Sequence, residues 1–226
     1  MRGSPQGDRI RPRRVPVYTM SLGDDGAELR PLTPWHAEEF LSHIDRGREF
    51  VGRYVSLPDV VTDLASSRAY LRSYAEKAAS DTGRIDGIWV DGGLVGGVLF
   101  RTMDLALGFA EVGCWLERSA AGRGLVTRAA RVIIDWVVHE RGVHRVEWLA
   151  AVENTASTAV ARRLGFTKEG VLRESYPHRG KRYDVEVWSV LAPEWRGQRP
   201  SSVDRAVRAG KPEVAERAID SGTGPP

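Results

Sequence analysis

Glu111, Cys114, Asn154 and Ser157 are the side chains whose types and neighbours could do chemistry, and all lie within residues 111–174. A strand-like run, Glu111-Val112-Gly113-Cys114-Trp115-Leu116, leads into Ala120-Ala121-Gly122-Arg123-Gly124-Leu125, which opens an amphipathic run. Two glycines separated by one residue at a helix start let the backbone turn tightly and aim free N–H groups outward. With the helix dipole, those groups make a seat for a phosphate or pyrophosphate, although the same pair also suits a plain turn. The loop is not a P-loop, because no Lys-Ser/Thr follows the glycines, and it lacks the third glycine of a dinucleotide fingerprint. Farther on, Asn154-Thr155-Ala156-Ser157 opens a short helical run that Leu164-Gly165-Phe166 closes. Taken singly, Asn154 is a helix N-cap, Ser157 a first-turn serine and Gly165 a left-handed C-terminal residue. Glu111 taken singly is a strand glutamate, facing solvent or paired with Arg101 or Arg128. Cys114 is a small apolar strand residue without the histidine partner a nucleophile would need.

These residues must be positioned by the elements around them. A strand over 28–32 is followed by Thr33-Pro34-Trp35, an N-cap and first-turn proline that open a helix with Phe40, Leu41 and Ile44 on its apolar side. A second helix spans 63–79, and strands follow at 85–90, 94–101 and 105–116. Asp91-Gly92-Gly93 joins the first two of these as a hairpin, with both glycines free to take positive φ. The apolar period then turns helical over 124–141, through Leu125, Ala129, Val132, Ile133, Trp136 and Val137. A strand at 143–150, a helix at 154–164 and strands at 166–173 and 183–191 complete the series. Strand meander first and strand–helix alternation second predict an α/β (α+β) fold around a mixed sheet. Residues 1–17 and 197–226 lack a clear apolar period and are expected to be flexible arms around one domain, 18–196. A weak helical run at 203–219 is interrupted by Pro212.

Composition removes several classes. The chain has 226 residues, 42% hydrophobic and 28% charged, which is ordinary globular usage and not that of a disordered or fibrous protein. No apolar stretch approaches the roughly 20 residues that span a bilayer, and no apolar region backs the N-terminal arginines as a secretory signal would require. The single cysteine excludes an internal disulfide and suits a reducing cytoplasm. Of the formal net charge of +3, residues 1–17 carry +4 and 197–226 carry +1, so the body carries −2. The basic character belongs to the arms, and the folded part has no charge excess for a nucleic-acid face. The five histidines show no metal-ligand spacing, so no metal is expected. Ser157 is not in a Gly-x-Ser-x-Gly elbow, which argues against a hydrolase.

Together, Glu-Val-Gly-x-Trp-Leu, Ala-Gly-Arg-Gly-Leu, Glu-Asn-Thr-Ala-Ser, Leu-Gly-Phe and Glu-Gly-Val-Leu-Arg-Glu resemble the GNAT superfamily of N-acetyltransferases. More narrowly, they are similar to its RimJ/RimL group, which acetylates ribosomal-protein N-termini. The motifs cover 111–174, and the general pattern extends over roughly 27–196. The resemblance implies a mixed, strongly twisted sheet of six to seven strands with flanking helices. Two central strands, near 107–116 and 143–150, would splay apart to admit acetyl-CoA. It implies that Trp115 and Leu116 lie alongside the pantetheine arm, and that Gly122, Arg123, Gly124 and Leu125 surround the pyrophosphate. Asn154 would contact pantetheine, and Ser157 would lie near the thioester sulfur. One departure is that Ser119 stands where the superfamily often has Gln or Arg, with Arg118 one place early.

The resemblance also implies roles. Glu111 matches the position of a candidate general base, with Ser157 the candidate proton donor to the leaving thiolate, in a direct transfer within a ternary complex. A backbone N–H near Leu116 would polarise the thioester carbonyl. Trp35, Tyr54 and Tyr176 fall in segments where the family builds its acceptor groove, although packing explains each equally well. The acceptor itself stays open among a protein N-terminal amine (a ribosomal protein included), a small-molecule amine, and none at all in a non-catalytic CoA-binding module. A homodimer is a further expectation of the resemblance, and a membrane partner is not.

Overall fold

The computed structural model describes residues 19–198. The expected arms at 1–17 and 197–226 lie outside them, apart from Gly197 and Gln198, as does the run at 203–219. The strands are β1 (Met20–Ser21), β2 (Ala27–Pro31), β3 (Arg84–Val90), β4 (Gly93–Asp104), β5 (Phe109–Leu116), β6 (Arg145–Ala151), β7 (Thr167–His178) and β8 (Lys181–Leu191). They form one sheet in the order β1-β2-β3-β4-β5-β6-β8-β7. Every neighbouring pair is antiparallel except β5–β6, which is parallel because a helical crossover joins them. That crossover is α4 (Leu125–His139); the other helices are α1 (Ala37–Val51), α2 (Leu57–Val60), α3 (Leu64–Ala79), α5 (Thr155–Arg163) and α6 (Ala192–Gly197).

The sheet has eight strands where the sequence predicts six to seven. The additional one is the two-residue β1, too short to show any period. Two other readings are corrected. Asp91 (φ 50°) and Gly92 (φ 81°) take the positive angles of the hairpin turn, while Gly93 begins β4. The predicted strand at 105–116 begins only at Phe109, because 105–108 form a turn in which Asp104 Oδ1 accepts the Leu107 N–H at 2.9 Å. The short helices α2 and α6 carry too few residues for periodicity to reveal them.

Apolar side chains on the two faces of the sheet build two cores. On one face, α4 lays Leu125, Ala129, Ile133 and Val137 against Val98, Phe100, Val112, Val146 and Trp148. On the other, α1 and α3 lay Phe40, Ile44, Leu71 and Tyr74 against Ile85, Leu99 and Trp115. Trp136, read as part of the α4 core, is only half-buried, with the Arg84 guanidinium over its ring at 4.8 Å. Among the described residues, no helix is long and apolar enough to cross a membrane.

Candidate active site

β5 and β6 part company halfway along. Their parallel pairing runs from Phe109↔Arg145 through Val112↔Trp148 and stops there. Beyond that rung β5 keeps β4 on one side, from Leu99↔Gly113 to Gly96↔Leu116, and β6 keeps β8 on its far side, from Leu149↔Val187 to Ala151↔Val185. The inner edges of 113–116 and 149–151 therefore face each other without a ladder, which is the splay expected of the central strands. A row of unspent backbone donors and acceptors lines each arm of this fork.

The β5 arm runs directly into the glycine loop. Gly122 (φ 82°) and Gly124 (φ 70°) are both left-handed, and Gly124 caps α4. A Cβ at either would meet nothing within 4 Å, so the amides line open space. Among the described residues, the N–H groups of Gly122, Arg123, Gly124 and Leu125 have no backbone acceptor. The loop thus presents exposed amides at the positive end of a 15-residue helix, an arrangement that suits an anion. Asp25 braces it by pairing with Arg128 at 2.7 Å and lying 3.6 Å from Arg123. The Arg128 hydrogen bond brings the Asp25 carboxyl down to about 2.

Asn154 caps α5, its side-chain oxygen accepting the Ser157 N–H at 3.3 Å. Ser157 Oγ accepts from Trp148 Nε1 at 2.9 Å. Trp148 is fully buried on the last rung before the fork opens. With that lone pair engaged, the hydroxyl hydrogen of Ser157 is left to donate elsewhere.

Glu111 sits one rung below the fork and, by strand alternation, on the face opposite Trp148. Its Oε1 accepts from Arg101 Nε at 2.9 Å, which is one of the two arrangements its residue type allows. Arg101 reaches it from a β-bulge between Phe100 and Thr102, and crosses Gly113, where a Cβ would lie 3.3 Å from its Nη2. Burial works against the Arg101 charge, but Glu111 and the nearby Tyr74 and Tyr70 outweigh it and raise its pKa. Alongside lies a pocket of about 210 Å³, with Tyr70, Tyr74, Lys77 and Arg101 on its polar wall and Leu99 and Trp115 on its apolar one. Cys114 borders the same pocket, but burial pushes its thiol up to about 12, so it carries no thiolate.

The Trp115 side chain is buried away from the fork, so only its main chain faces the gap. Its Nε1 donates to His43 Nε2 at 3.0 Å, and His43 Nδ1 lies 3.4 Å from Glu117 Oε2. Burial lowers the His43 pKa to about 4 against the opposing pull of Glu117, leaving a neutral ring that accepts from Trp115. Glu117 Oε1 in turn takes the Ser119 hydroxyl at 2.8 Å. Leu125 is buried in the α4 core, so it too can offer a ligand only its amide. Leu116 is half-buried.

Of the aromatic residues assigned to an acceptor groove, Tyr54 and Tyr176 share a neighbour, Tyr183, at ring distances of 6.1 and 6.4 Å. Tyr54 also donates its hydroxyl to the Glu153 carbonyl at 3.1 Å, beside Asn154. Trp35 stands apart: it is 91% exposed and lines a separate depression with Pro34, Arg68 and Arg72. Sequence reasoning missed Tyr70, Tyr74 and Lys77, although their i, i+4, i+7 spacing marks one helix face. A buried indole N–H needs an acceptor, and Trp148 finds its own in Ser157. Among the described residues, no group of three or more His, Cys, Asp or Glu could hold a metal ion.

Comparison with known proteins is consistent with this geometry. The family model described as an acetyltransferase (GNAT) domain matches residues 27–167. The chain is 28% identical over 172 residues to YdaF of Bacillus subtilis (strain 168), whose name proposes a ribosomal N-acetyltransferase; the match covers 76% of this chain and 94% of that protein. The fold matches RimL, a ribosomal L7/L12 α-N-protein acetyltransferase solved with coenzyme A, with a TM-score of 0.73 at 20% identity over 77% of this chain and 98% of that one. It also matches the microcin C7 self-immunity acetyltransferase MccE, solved with acetyl-CoA and AMP, with a TM-score of 0.68 at 28% identity over 74% and 93% of the two chains.

Proposed function

Because the chain belongs to the GNAT family of N-acetyltransferases, we propose that it moves an acetyl group from acetyl-CoA to a protein N-terminal α-amine, in the cytoplasm and through the domain 18–196. The observation that carries this reading is the fork between β5 and β6 running straight into the open amide loop. A thioester with a nucleotide tail fits it. The β5 edge at 113–116 would pair with the amide-bearing pantetheine arm, and Asn154 would face it from the other side. The N–H groups at 122–125 would take the pyrophosphate.

An ammonium must lose a proton before its nitrogen can attack, and the attacking nitrogen must lose a second before the amide is stable. In the proposed path Glu111 takes the first. As the C–N bond forms, a main-chain N–H near Leu116 stabilises the tetrahedral oxyanion, and the C–S bond then breaks. Ser157 gives its proton to the departing thiolate and regains one from the nitrogen through solvent. Products are the amide, CoA thiol and one released proton. Ribosomal acceptors are named for YdaF and RimL, which favours a protein N-terminus; the AMP bound to MccE favours a small-molecule amine as the second reading.

Thiol release from acetyl-CoA, measured with a panel of N-terminal peptides beside a panel of small amines, tests both. Turnover with peptides is the expected result. Turnover with small amines alone selects the second reading, and CoA binding without turnover on either panel removes the catalytic one.

A further inference from the structure

The pocket beside Glu111 is rich in donors and cations. Lys77 and Arg101 are both on its wall, and among the described residues no carboxylate lines it. Lys77 Nζ spends one hydrogen on the Arg101 carbonyl at 2.8 Å and lies 5.0 Å from the centre of the Tyr74 ring, so two hydrogens remain. Arg101 spends Nε on Glu111, and among the described residues its two terminal nitrogens have no acceptor. Burial raises the pKa of both Tyr70 and Tyr74, which keeps their hydroxyls protonated at neutral pH. The Tyr70 hydroxyl is hydrogen-bonded to Tyr74, so Lys77, Arg101 and the free end of this tyrosine pair offer hydrogens to one small space, next to a carboxylate whose Oε1 is occupied. A neutral acceptor would leave the guanidinium on Glu111. An anionic one offers it a planar partner in competition, the arrangement in which arginine binds most strongly.

We propose that the acceptor carries an anionic group next to its amine, and that this group binds Arg101 and Lys77, drawing the guanidinium off Glu111. The amine then meets a carboxylate with both oxygens available, so anion binding and base release are one event. Arg101 is in this scheme a specificity-determining residue, mounted on a bulge and swinging over a glycine that leaves it room. The inference rests on the acetyl-transfer reading above and narrows its acceptor to amines bearing a carboxylate or an equivalent anion, supplied either by an acidic side chain near a protein N-terminus or by a small amino acid.

Initial rates with the full chain and acetyl-CoA would be measured on matched pairs. Peptides differing only in Asp or Asn at the first or second residue form one arm, and free amino acids beside their α-amides form the other. The expected result is a preference of about tenfold or more in kcat/KM for the anionic member of at least one arm, the arm identifying the source. In Arg101→Gln the anionic member should fall to the level of its neutral twin, and Arg101→Lys should restore part of the gap. Lys77→Met should reduce the preference without abolishing it. Thermal melts of each variant separate lost selectivity from lost folding, and Arg101→Lys keeps the test open should Arg101→Gln not fold. Equal rates within both pairs, or a preference that survives Arg101→Gln, overturn the proposal while leaving acetyl transfer standing. No thiol release with any amine overturns acetyl transfer and this proposal together.

Discussion

Ser157 is oriented by an indole. Its hydrogen bond from Trp148 fixes which way the hydroxyl can give its proton, and that sets the size of two substitutions. Ser157→Ala should lower kcat about a hundredfold, the scale of a lost general acid. Trp148→Phe keeps the edge contact with Phe166 but removes the donor, and should cost about fivefold in kcat, the scale of one hydrogen bond. Single-turnover rates at saturating acetyl-CoA check both; equal losses would mean that Trp148 does more than orient. His43 gives a pH prediction. Its folded pKa, about 4, lies below its ordinary 6.5, so the unfolded chain binds a proton that the folded chain refuses. The stability this implies is fully present above pH 6.5 and is lost as pH falls toward 4, at roughly 1 kcal/mol per pH unit. His43→Asn should be less stable at pH 7 yet flatter across that window, as urea melts would show. Asn154 and Ser157 were legible as letters in a motif. Arg101 was one of two arginines the sequence offered to Glu111, and it is the one found there. The partners of Ser157 and Trp115 were not legible, because strand register and a helix crossing bring them together, and neither leaves a local trace.

At the scale of elements, the glycines divide into two kinds. Gly122 and Gly124 are needed for their angles, since nothing crowds them, and this was readable from their place before an amphipathic run. Alanine at Gly124 should cost about 1 kcal/mol of stability and weaken CoA binding measured by calorimetry. Gly97 is needed for space. A Cβ there would lie 2.2 Å from the Trp115 ring, its register partner on β5. Gly97→Ala should destabilise by about 1–3 kcal/mol in chemical denaturation, the usual cost of overpacking. A strand glycine with no turn signal reads as a weakness until its neighbour is known, so β4 hid its purpose. The long helices α3 and α4 were legible to within about two residues, because their apolar faces meet a flat sheet and repeat at every turn.

At the scale of the molecule, the sheet consists of two blocks, β1–β5 and β6–β8, joined by a four-rung seam and the helix α4. A clasp spans the same division on the far side. Arg179 at the β7–β8 turn pairs with Asp59 of α2 at 2.6 Å, and His178 Nε2 and the Gly52 carbonyl lie 2.8 Å apart. Hydrogen–deuterium exchange should show CoA slowing the amides of 113–116 and 122–125 well above the change in β2 or β3. Uniform slowing would point to a site elsewhere. The mixed sheet was expected from the alternation of periods; the clasp was not, since its pairs lie up to 126 residues apart.

The short seam has a practical corollary. A protein whose two blocks are stitched by so few bonds lets any molecule lodged between them supply missing stitches, so its melting temperature reports what it carries. Acyl-CoAs of increasing chain length could then be ranked by heating alone, before any acceptor is known.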